Sequence, residues 1–243
     1  MTGTVRIGTS GWHYKPWIGP FYPEGTRPNA FLAYYATRFS TAEVNSTFYG
    51  LPRTATVTQW RESTPPDFLF SCKASRYITH IRRLREPAEG LGRFFGAVEA
   101  LEDKLGPVLF QLPPRWLRNR DRLAAFLEAL PGGHRYAFEF RDESWLEDEV
   151  FDLLDARGAA CCHYDFDRRQ PAVRSAADFV YIRLHGPLGA YRGSYDDRAL
   201  AGWARRIADW STAGRDVFCY FDNDEAGYAA RDAQRLIDMI DGP

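Results

Sequence analysis

Short apolar runs recur along the chain and alternate with segments of helical character. Runs of this length that are rich in β-branched and aromatic residues are typical of buried strands. Helical patterns separate most of the runs, and only the connection at 166–178 lacks one. The predicted strands cover residues 5–10, 41–46, 68–73, 107–112, 135–140, 159–165, 179–186 and 217–223.

The clearest helical pattern lies over residues 144–158. Ser144 is the expected N-cap, acidic residues fill the first turns, and Gly158 is expected to end the helix. Other helix-like segments lie between most of the apolar runs. They cover residues 29–39, 54–62, 88–105, 121–130, 197–214 and 225–240.

Eight strands that alternate with helices over 243 residues predict an α/β fold, a single (β/α)8 TIM-like barrel spanning residues 1–243. A doubly wound open sheet is the alternative, but its phosphate-binding GxGxxG fingerprint does not follow the first strand. The proline-containing stretches at 23–28 and 63–67 have the character of connections within one domain.

Polar side chains stand near the carboxyl ends of the predicted strands, several of them in pairs two residues apart. In a strand this spacing puts both side chains on one face. Because the carboxyl ends of barrel strands meet at one mouth, the pairs predict a polar cup whose members satisfy one another. The pairs are Glu43 and Asn45, Glu139 and Arg141, His163 and Asp165, and Arg183 and His185, while Lys73, Gln111, Asp222 and Asn223 end the other strands.

Ordered motifs at these strand ends carry a resemblance to a known family. They are "GTSGWHYKPWIGPFYP", "EVNSTFYGLP", "FLFSCKASRYITH", "VLFQLPPRW", "FEFRDESW", "YIRLHG" and "YFDNDEAGYAARDAQRL". Together they resemble the YecE-like family, catalogued as domain of unknown function 72, from about residue 5 to residue 240. The resemblance implies a TIM barrel and brings no catalytic residues with it. Where this chain has Asp222 the family more often has asparagine, so we expect Asn223 to be the site residue of this strand.

Glu43 and Glu139 are the candidate acid–base pair of the cup. Two carboxylates whose surroundings separate their pKa values can serve as general acid and base. The alternative is that they form structural ion pairs with Lys73 and Arg141. Lys73 is expected as the counter-ion of Glu43, with an electrostatic clamp or a Schiff-base amine of lowered pKa as alternatives. His185 is a candidate proton carrier or a hydrogen-bonded structural histidine.

The charge of the chain is balanced, but its arginines are not evenly spread. Thirty-one basic and 32 acidic residues give a formal net charge of −1. Arginines cluster in "KASRYITHIRRLRE" and "PPRWLRNRDR", after the third and fourth strands, which a barrel brings to the same mouth. This favours a small anionic ligand, with nucleic acid or a plain solvated surface as alternatives. The expected ligand-binding residues are Trp12, Asn45, Tyr49, His80, Gln111, Arg141, Asp165, Arg183, Tyr195 and Asn223.

The apolar runs, the cysteines and the possible metal ligands indicate the location of the protein and its need for cofactors. No apolar run approaches the roughly 20 residues that span a bilayer, and no secretory signal opens the chain, so we expect a cytoplasmic protein with no membrane partner. The four cysteines lie in apolar runs without a CxxC pair and are expected to be buried free thiols. We expect no cofactor and no metal, the alternative being a divalent ion. That ion would bind Glu43, Glu139, Asp165 and His185.

These features predict an enzyme that performs acid–base chemistry of the hydrolase or lyase type. Its ligand would be small and anionic, phosphorylated or nucleotide-like, and bound at the carboxyl-end mouth. The alternative is a non-catalytic or nuclease-like barrel that binds nucleic acid through the arginine-rich loops.

Overall fold

Parallel strands alternate with helices along the chain, as the apolar runs predict. The computed structural model describes residues 1–242. Each predicted strand forms, and the sixth is interrupted, so that two short strands replace it. The strands are β1 Val5–Thr9, β2 Thr41–Val44, β3 Leu69–Lys73, β4 Leu105–Gln111, β5 Tyr136–Glu139, β6 Ala160–Cys161, β7 His163–Asp165, β8 Phe179–Leu184 and β9 Asp216–Phe221.

Except for the short α2, which was not predicted, the helices occupy the connections where helical patterns predict them, and the segment at 166–178 is irregular, also as predicted. Within residues 1–242, no helix has both the length and the apolarity needed to cross a bilayer. The helices are α1 Phe31–Tyr35, α2 Ser46–Tyr49, α3 Thr54–Glu62, α4 Pro87–Val98, α5 Arg120–Glu128, α6 Asp148–Ala156, α7 Asp197–Thr212 and α8 Tyr228–Asp241.

The start of α6 differs from the prediction. Ser144 lies in a separate 3-10 turn, Glu143–Trp145, and its backbone N–H donates to Asp142 Oδ1 at 3.1 Å. The Ser144 hydroxyl accepts from the backbone N–H of Arg118 at 2.9 Å, so it is engaged with the preceding loop and does not cap α6. Gly158 follows α6 with φ of +66°, as predicted for the residue that ends the helix.

Parallel pairing joins the strands into two arcs, β2-β3-β4-β5-β6 and β7-β8-β9-β1. The arcs meet at residues 160–165, where the strand breaks at Cys162. They meet again between β1 and β2, where Ser10 and Glu43 form a parallel bridge and Gly11 N donates to Glu43 O at 2.8 Å. The result is a (β/α)8 barrel whose sixth strand is interrupted.

The barrel interior is packed beneath the polar mouth. Tyr220 lies in its centre, and its hydroxyl bonds Thr41 at 2.8 Å and Ser71 at 2.7 Å. Leu109 and Phe218 pack in the same interior cluster. A second, larger apolar layer lies between the strands and the helices. The polar strand ends therefore lie on a filled floor, which keeps their side chains at the carboxyl-end mouth.

Candidate functional site

Arg183 lies at the centre of a buried group of charges at the carboxyl-end mouth. Its side chain is 1% exposed and is positioned by β8. Nη2 lies 2.8 Å from Glu43 Oε1, and Nη1 lies 2.9 Å from Glu139 Oε2. Nη2 also lies 3.0 Å from Asp222 Oδ2. Arg183, Glu43, Glu139, Asp222 and His185 are called the charge cluster below. Because its donors are already used, Arg183 organises the mouth and is not free for the ligand-binding role that the sequence predicted.

Glu43 is saturated by three side-chain donors, one directly after β1 and two on β8. Ser10 Oγ donates to Oε1 at 2.7 Å, and Tyr181 OH donates to Oε2 at 2.7 Å. Arg183 Nε lies 3.1 and 3.0 Å from the two oxygens. A carboxylate that is fully buried and bonded in this way favours the structural ion-pair alternative over the predicted acid–base role. Sequence reasoning missed both hydroxyls, although Tyr181 stands two residues before Arg183 and so shares its face.

Glu139 is held as an anion by two arginines. Burial alone would raise its pKa, but the charges of Arg141 and Arg183 outweigh burial and hold the pKa of Glu139 well below its usual range. Arg141 Nε donates to Oε1 of Glu139. A group that stays ionised at neutral pH cannot act as the general acid of a pair. The geometry therefore favours ion pairing for Glu139 as well, with Arg183 where the sequence predicted Lys73.

His185 is fully buried, with a hydrogen bond to one ring nitrogen and a carboxylate close to the other. Arg141 Nη2 lies 3.0 Å from His185 Nε2, and since arginine only donates, Nε2 is the acceptor. The ring proton then lies on Nδ1, which is 3.1 Å from Asp222 Oδ2. Burial, reinforced by Arg183, lowers the pKa of His185, so the ring is neutral. The structural alternative is favoured for this histidine over the proton carrier.

Asp222 belongs to the mouth and Asn223 does not, which reverses the expectation for this strand. Burial would raise the pKa of Asp222, but the nearby Arg183 and His185 lower it below its usual value. Asn223 Nδ2 donates to Gly193 O at 2.8 Å and to Asp232 Oδ2 at 2.9 Å. Asn223 thus ties a loop to α8, one residue beyond the charge cluster.

Lys73 differs from its neighbours because it has no ionic partner. Within residues 1–242, no carboxylate lies within ion-pair distance of its amine, so it is not the counter-ion of Glu43. Its Nζ lies 4.5 Å from the centre of the Phe48 ring, and the residue is 8% exposed. Burial, followed by the charge of Arg183, lowers the pKa of Lys73 to about 8. The mouth therefore holds an amine that is partly neutral near physiological pH.

Arg141 connects the charge cluster to a cavity of about 800 Å³ that Gln111 also lines. The guanidinium lies 3.9 Å from the ring centre of Phe166, in the irregular segment after β7. Its side chain is 9% exposed, and Nη1 is buried without a hydrogen-bond partner among the described residues. Tyr164 and Leu146 add apolar wall. The cavity thus has an aromatic surface beside the guanidinium of Arg141, whose Nη1 is itself buried and unsatisfied.

Comparison with known proteins places this barrel in a family. The family model described as "Protein of unknown function DUF72" matches residues 6–242. The chain belongs to the DUF72 family. The UPF0759 protein YunF of Bacillus subtilis (strain 168) is 26% identical over 98% of this chain and 95% of its own length. The UPF0759 protein YecE of Escherichia coli (strain K12) is 31% identical over 85% of this chain and 82% of its own length.

A crystal structure of a DUF72 family protein from Thermotoga maritima MSB8 has the same fold. It is 28% identical to this chain, with a TM-score of 0.88, and the match covers 98% of this chain and 99% of that one. The family and the barrel indicated by the sequence motifs are both confirmed.

Other predicted ligand residues of this DUF72 chain hold loops in place. Asp165 accepts from Gln170 Nε2 at 3.0 Å, and burial raises its pKa. The Tyr195 hydroxyl accepts from Gly186 N at 2.9 Å and is 2% exposed. Both residues stabilise the connections around β7 and β8, and neither faces the cavity.

Trp12 and His163 pack outside the barrel interior. Trp12 contacts Trp60 of α3, with ring centres 5.4 Å apart. His163 packs against Trp210 of α7 at 4.7 Å and so does not join the predicted polar cup. Ordinary strand alternation explains this difference, because Ala160 and Cys162 point into the interior cluster and the residue after Cys162 therefore faces outwards.

Three predicted residues lie in the segments that directly follow β2 and β3. Asn45 Oδ1 is buried without a hydrogen-bond partner in the described part of the chain. Tyr49 is 76% exposed and touches Phe48. His80 packs edge-on against Phe48 at 4.9 Å, and burial with the charges of Lys73 and nearby arginines lowers its pKa to about 4. These residues form a rim beside Lys73.

The metal alternative does not fit this geometry. Over residues 1–242, no group of three or more His, Cys, Asp or Glu side chains has the arrangement of a metal site. Asp165, one of the four residues considered, is engaged by Gln170 away from the charge cluster. The four cysteines are buried and free, as expected.

Arginines from the loop after β3 and from the start of α5 converge on Trp116. Arg83, after β3, and Arg122, at the start of α5, each lie 6.0 Å from the Trp116 ring. Burial, with the charges of Arg85 and Arg83, lowers the pKa of Arg122. Within the described chain Arg83, Arg85 and Arg122 form no ion pair. Arg82, by contrast, pairs with Glu86. Arg83, Arg85, Trp116 and Arg122 are called the cationic rim.

Proposed function

We propose that the protein is an enzyme that binds a small anionic ligand in the cavity beside Arg141 and transfers a proton through Lys73. The observation that carries this proposal is the buried Arg141 Nη1, which has no partner among residues 1–242. A buried cationic donor without an acceptor is costly, and a carboxylate or phosphate oxygen would satisfy it with a charge-assisted hydrogen bond.

Lys73 supports the acid–base part of the proposal. A group whose pKa is about 8 exists in both protonation states near neutral pH, which is the condition for efficient proton transfer. Hydrolase and lyase reactions both need such a group, to activate water or to remove a proton from carbon. In this proposal Glu43 and Glu139 are fixed anions that hold Arg183 and Arg141 in place.

The walls of the cavity favour a ligand with an apolar or ring-containing body. Phe166, Tyr164 and Leu146 supply flat and aliphatic surface beside the guanidinium of Arg141. A volume of about 800 Å³ is within the range of small-molecule sites. Phosphorylated or carboxylated metabolites, including nucleotide-like ones, fit both features.

Thermal unfolding with added anions tests the binding step. Inorganic phosphate or pyruvate should raise the melting temperature of the parent protein above the value in sodium chloride of equal ionic strength, because they bind the folded state. Arg141→Gln should abolish the increase. Arg231→Gln on α8, where the guanidinium lies over Tyr228, is the matched control and should retain it. An increase that survives in Arg141→Gln would refute the assignment of the anion site.

The cationic rim supports nucleic-acid binding as a second candidate. Three unpaired arginines beside a tryptophan match the combination of phosphate contacts and base stacking that single strands require. We expect binding of a single-stranded oligonucleotide to weaken with salt. Replacing Arg83, Arg85 and Arg122 by glutamine should reduce the salt slope by about 0.7 for each phosphate that is no longer neutralised. Glutamine at Arg198, Arg205 and Arg231 is the charge-matched control. Absence of binding at low salt would eliminate this candidate.

A further inference from the structure

The charged side chains that line the cavity beside Arg141 carry both signs of charge. Arg141 and Arg169 are the cations of the lining, and Glu143 and Asp167 are its carboxylates. Arg169 Nη1 lies 3.1 Å from Glu143 Oε1, so these two side chains neutralise each other. Among residues 1–242, Asp167 forms no ion pair. A lining that offers a guanidinium and a free carboxylate suits a ligand with one negative and one positive group better than a polyanion.

Gln111 presents a hydrogen-bond acceptor to the same cavity. It is the last residue of β4 and pairs with Glu139 of β5, two residues before Arg141, so strand register holds it beside the segment that carries the guanidinium. Its Nε2 donates to Leu112 O at 2.9 Å, and because an amide nitrogen only donates, this bond fixes the orientation of the amide. Oε1 accepts no hydrogen bond among the described residues and is not buried, so it is open to a ligand in the cavity that Gln111 lines.

An ammonium group and a carboxylate are the chemical complement of these polar groups. An ammonium has three N–H donors and no acceptor, so it needs acceptors such as Gln111 Oε1 and the carboxylate of Asp167, which line the same cavity. A carboxylate only accepts, as the guanidinium of Arg141 requires. Tyr164 and Phe166 add ring surface, with the guanidinium 4.8 and 3.9 Å from their ring centres. The lining therefore matches each part of an amino acid that has an aromatic side chain.

We propose that the cavity binds an aromatic amino acid whose carboxylate contacts Arg141 and whose ammonium group donates to Gln111 Oε1. This proposal rests on the proposed function and narrows its ligand class from small anions to zwitterions. The ring of the ligand lies against Phe166 and Leu146, and Asp167 adds a negative charge that attracts the ammonium group. An acid without an amino group leaves Gln111 Oε1 without a donor in the occupied cavity, which is the basis of discrimination against it.

Three ligands that share a phenylethyl body test the two polar contacts separately. L-Phenylalanine has both groups, 3-phenylpropionate lacks the amino group, and 2-phenylethylamine lacks the carboxylate. Isothermal titration calorimetry of the intact protein near neutral pH measures the three dissociation constants. We expect L-phenylalanine to bind at least about tenfold more tightly than either analogue, because each analogue lacks one charge-assisted hydrogen bond. Equal affinities for L-phenylalanine and 3-phenylpropionate would overturn the contact with the ammonium group.

Variants of Gln111 assign that contact to its carbonyl oxygen. Gln111→Met keeps the length of the side chain and removes the acceptor, so the affinities for L-phenylalanine and 3-phenylpropionate should become nearly equal. Gln111→Glu retains an acceptor oxygen and should retain the preference for L-phenylalanine. Gln59→Met, at an exposed position of α3, is the matched control and should keep the parent ratio. A parent ratio that survives in Gln111→Met would refute the role of Gln111.

The same ligands separate this inference from the proposed function. If pyruvate and 3-phenylpropionate stabilise the protein through Arg141 and L-phenylalanine binds no better, the anion-binding function stands and only the recognition of the amino group falls. If none of the three acids binds, both fall. Binding of L-phenylalanine that is undiminished in Arg141→Gln would refute the placement of its carboxylate. Because the ligand series in the parent protein carries the decisive measurement, the result does not depend on whether a Gln111 variant folds.

Discussion

Two arginines of this chain each face three carboxylates, in opposite environments. Arg174 is 49% exposed and approaches Asp148, Asp152 and Asp155 on the outside of the barrel. Arg183 is 1% exposed and approaches the three carboxylates of the charge cluster. Water screens the first set, while the second exists only because each charge compensates the cost of burying the others. The same pattern of partners therefore has different consequences for stability.

Replacing Arg183 by lysine tests this difference. One ammonium cannot reach Glu43, Glu139 and Asp222 together, so at least one buried carboxylate loses its partner, and we expect the free energy of unfolding to fall by about 3–5 kcal/mol. Urea unfolding measures this decrease in the free energy of unfolding. Arg174→Lys, the control, should leave the urea midpoint close to that of the parent. Equal effects of the two substitutions would contradict the view that burial decides the contribution.

The residues of the mouth were predictable as far as strand periodicity holds. The spacing of two identified Glu43, Glu139, Arg183 and His185 because each stands on an unbroken strand or directly after one. It failed for His163, since the inward-facing residues of this segment are Ala160 and Cys162, and a run of apolar residues does not reveal which alternate set faces inwards. It also could not give the roles of these side chains, which depend on partners more than 40 residues away in the chain, such as Glu43 and Arg183.

At the scale of elements, the connection after β8 is held tightly by its own backbone. Gly186 has φ of +107°, and a Cβ added there would lie 2.4 Å from Arg192 O. Tyr191 N donates to His185 O at 2.6 Å, and the Tyr195 hydroxyl accepts from Gly186 N at 2.9 Å. The turn therefore fixes Tyr191 over the charge cluster, where its ring packs 5.5 Å from that of His185.

We expect Gly186→Ala to destabilise the fold by about 1–3 kcal/mol, because alanine is strained at this φ and its Cβ collides with backbone. Gly202→Ala in α7 is the matched control. No atom lies within 4 Å of a Cβ added at Gly202, so alanine there should stabilise the helix by about 0.5–1 kcal/mol. Chemical denaturation of both variants measures whether each substitution lowers or raises the free energy of unfolding. Stabilisation by Gly186→Ala would show that the turn is not constrained in this way.

At the scale of the whole molecule, the alternation of strands and helices was sufficient to predict the barrel. Helix α3 was predicted at the residues that it occupies, 54–62, because its amphipathic pattern lies between clear breaks. The closure of the barrel was not predictable in detail. It depends on the bridge between Ser10 and Glu43 and on the shared segment at 160–165, which are contacts between distant parts of the chain. Periodicity describes one element at a time and contains no information on such pairing.

Three histidines in separate parts of the molecule are kept neutral by the fold. Burial lowers the pKa of His80 to about 4 and that of His163 to about 3, in both cases with help from nearby arginines. Burial also lowers the pKa of His185. His80 lies beside Lys73 at the mouth, His163 lies between the barrel and α7, and His185 lies in the charge cluster. As the pH falls, protonation of these rings should therefore lower the stability of the fold before the carboxylates are protonated.

The sign of this effect follows from proton linkage. A histidine whose pKa is about 3 when folded and 6.5 when unfolded binds fewer protons in the folded state at every pH between the two values. Stability therefore falls as the pH is lowered below about 6.5, and at pH 5 the contribution of His163 amounts to about 2 kcal/mol. Urea unfolding between pH 7.5 and pH 5 should show a decline that His163→Gln makes shallower. His13→Gln, at an exposed position, should keep the full decline, and a parent protein equally stable at both ends of the range would show that these rings are not held neutral by folding.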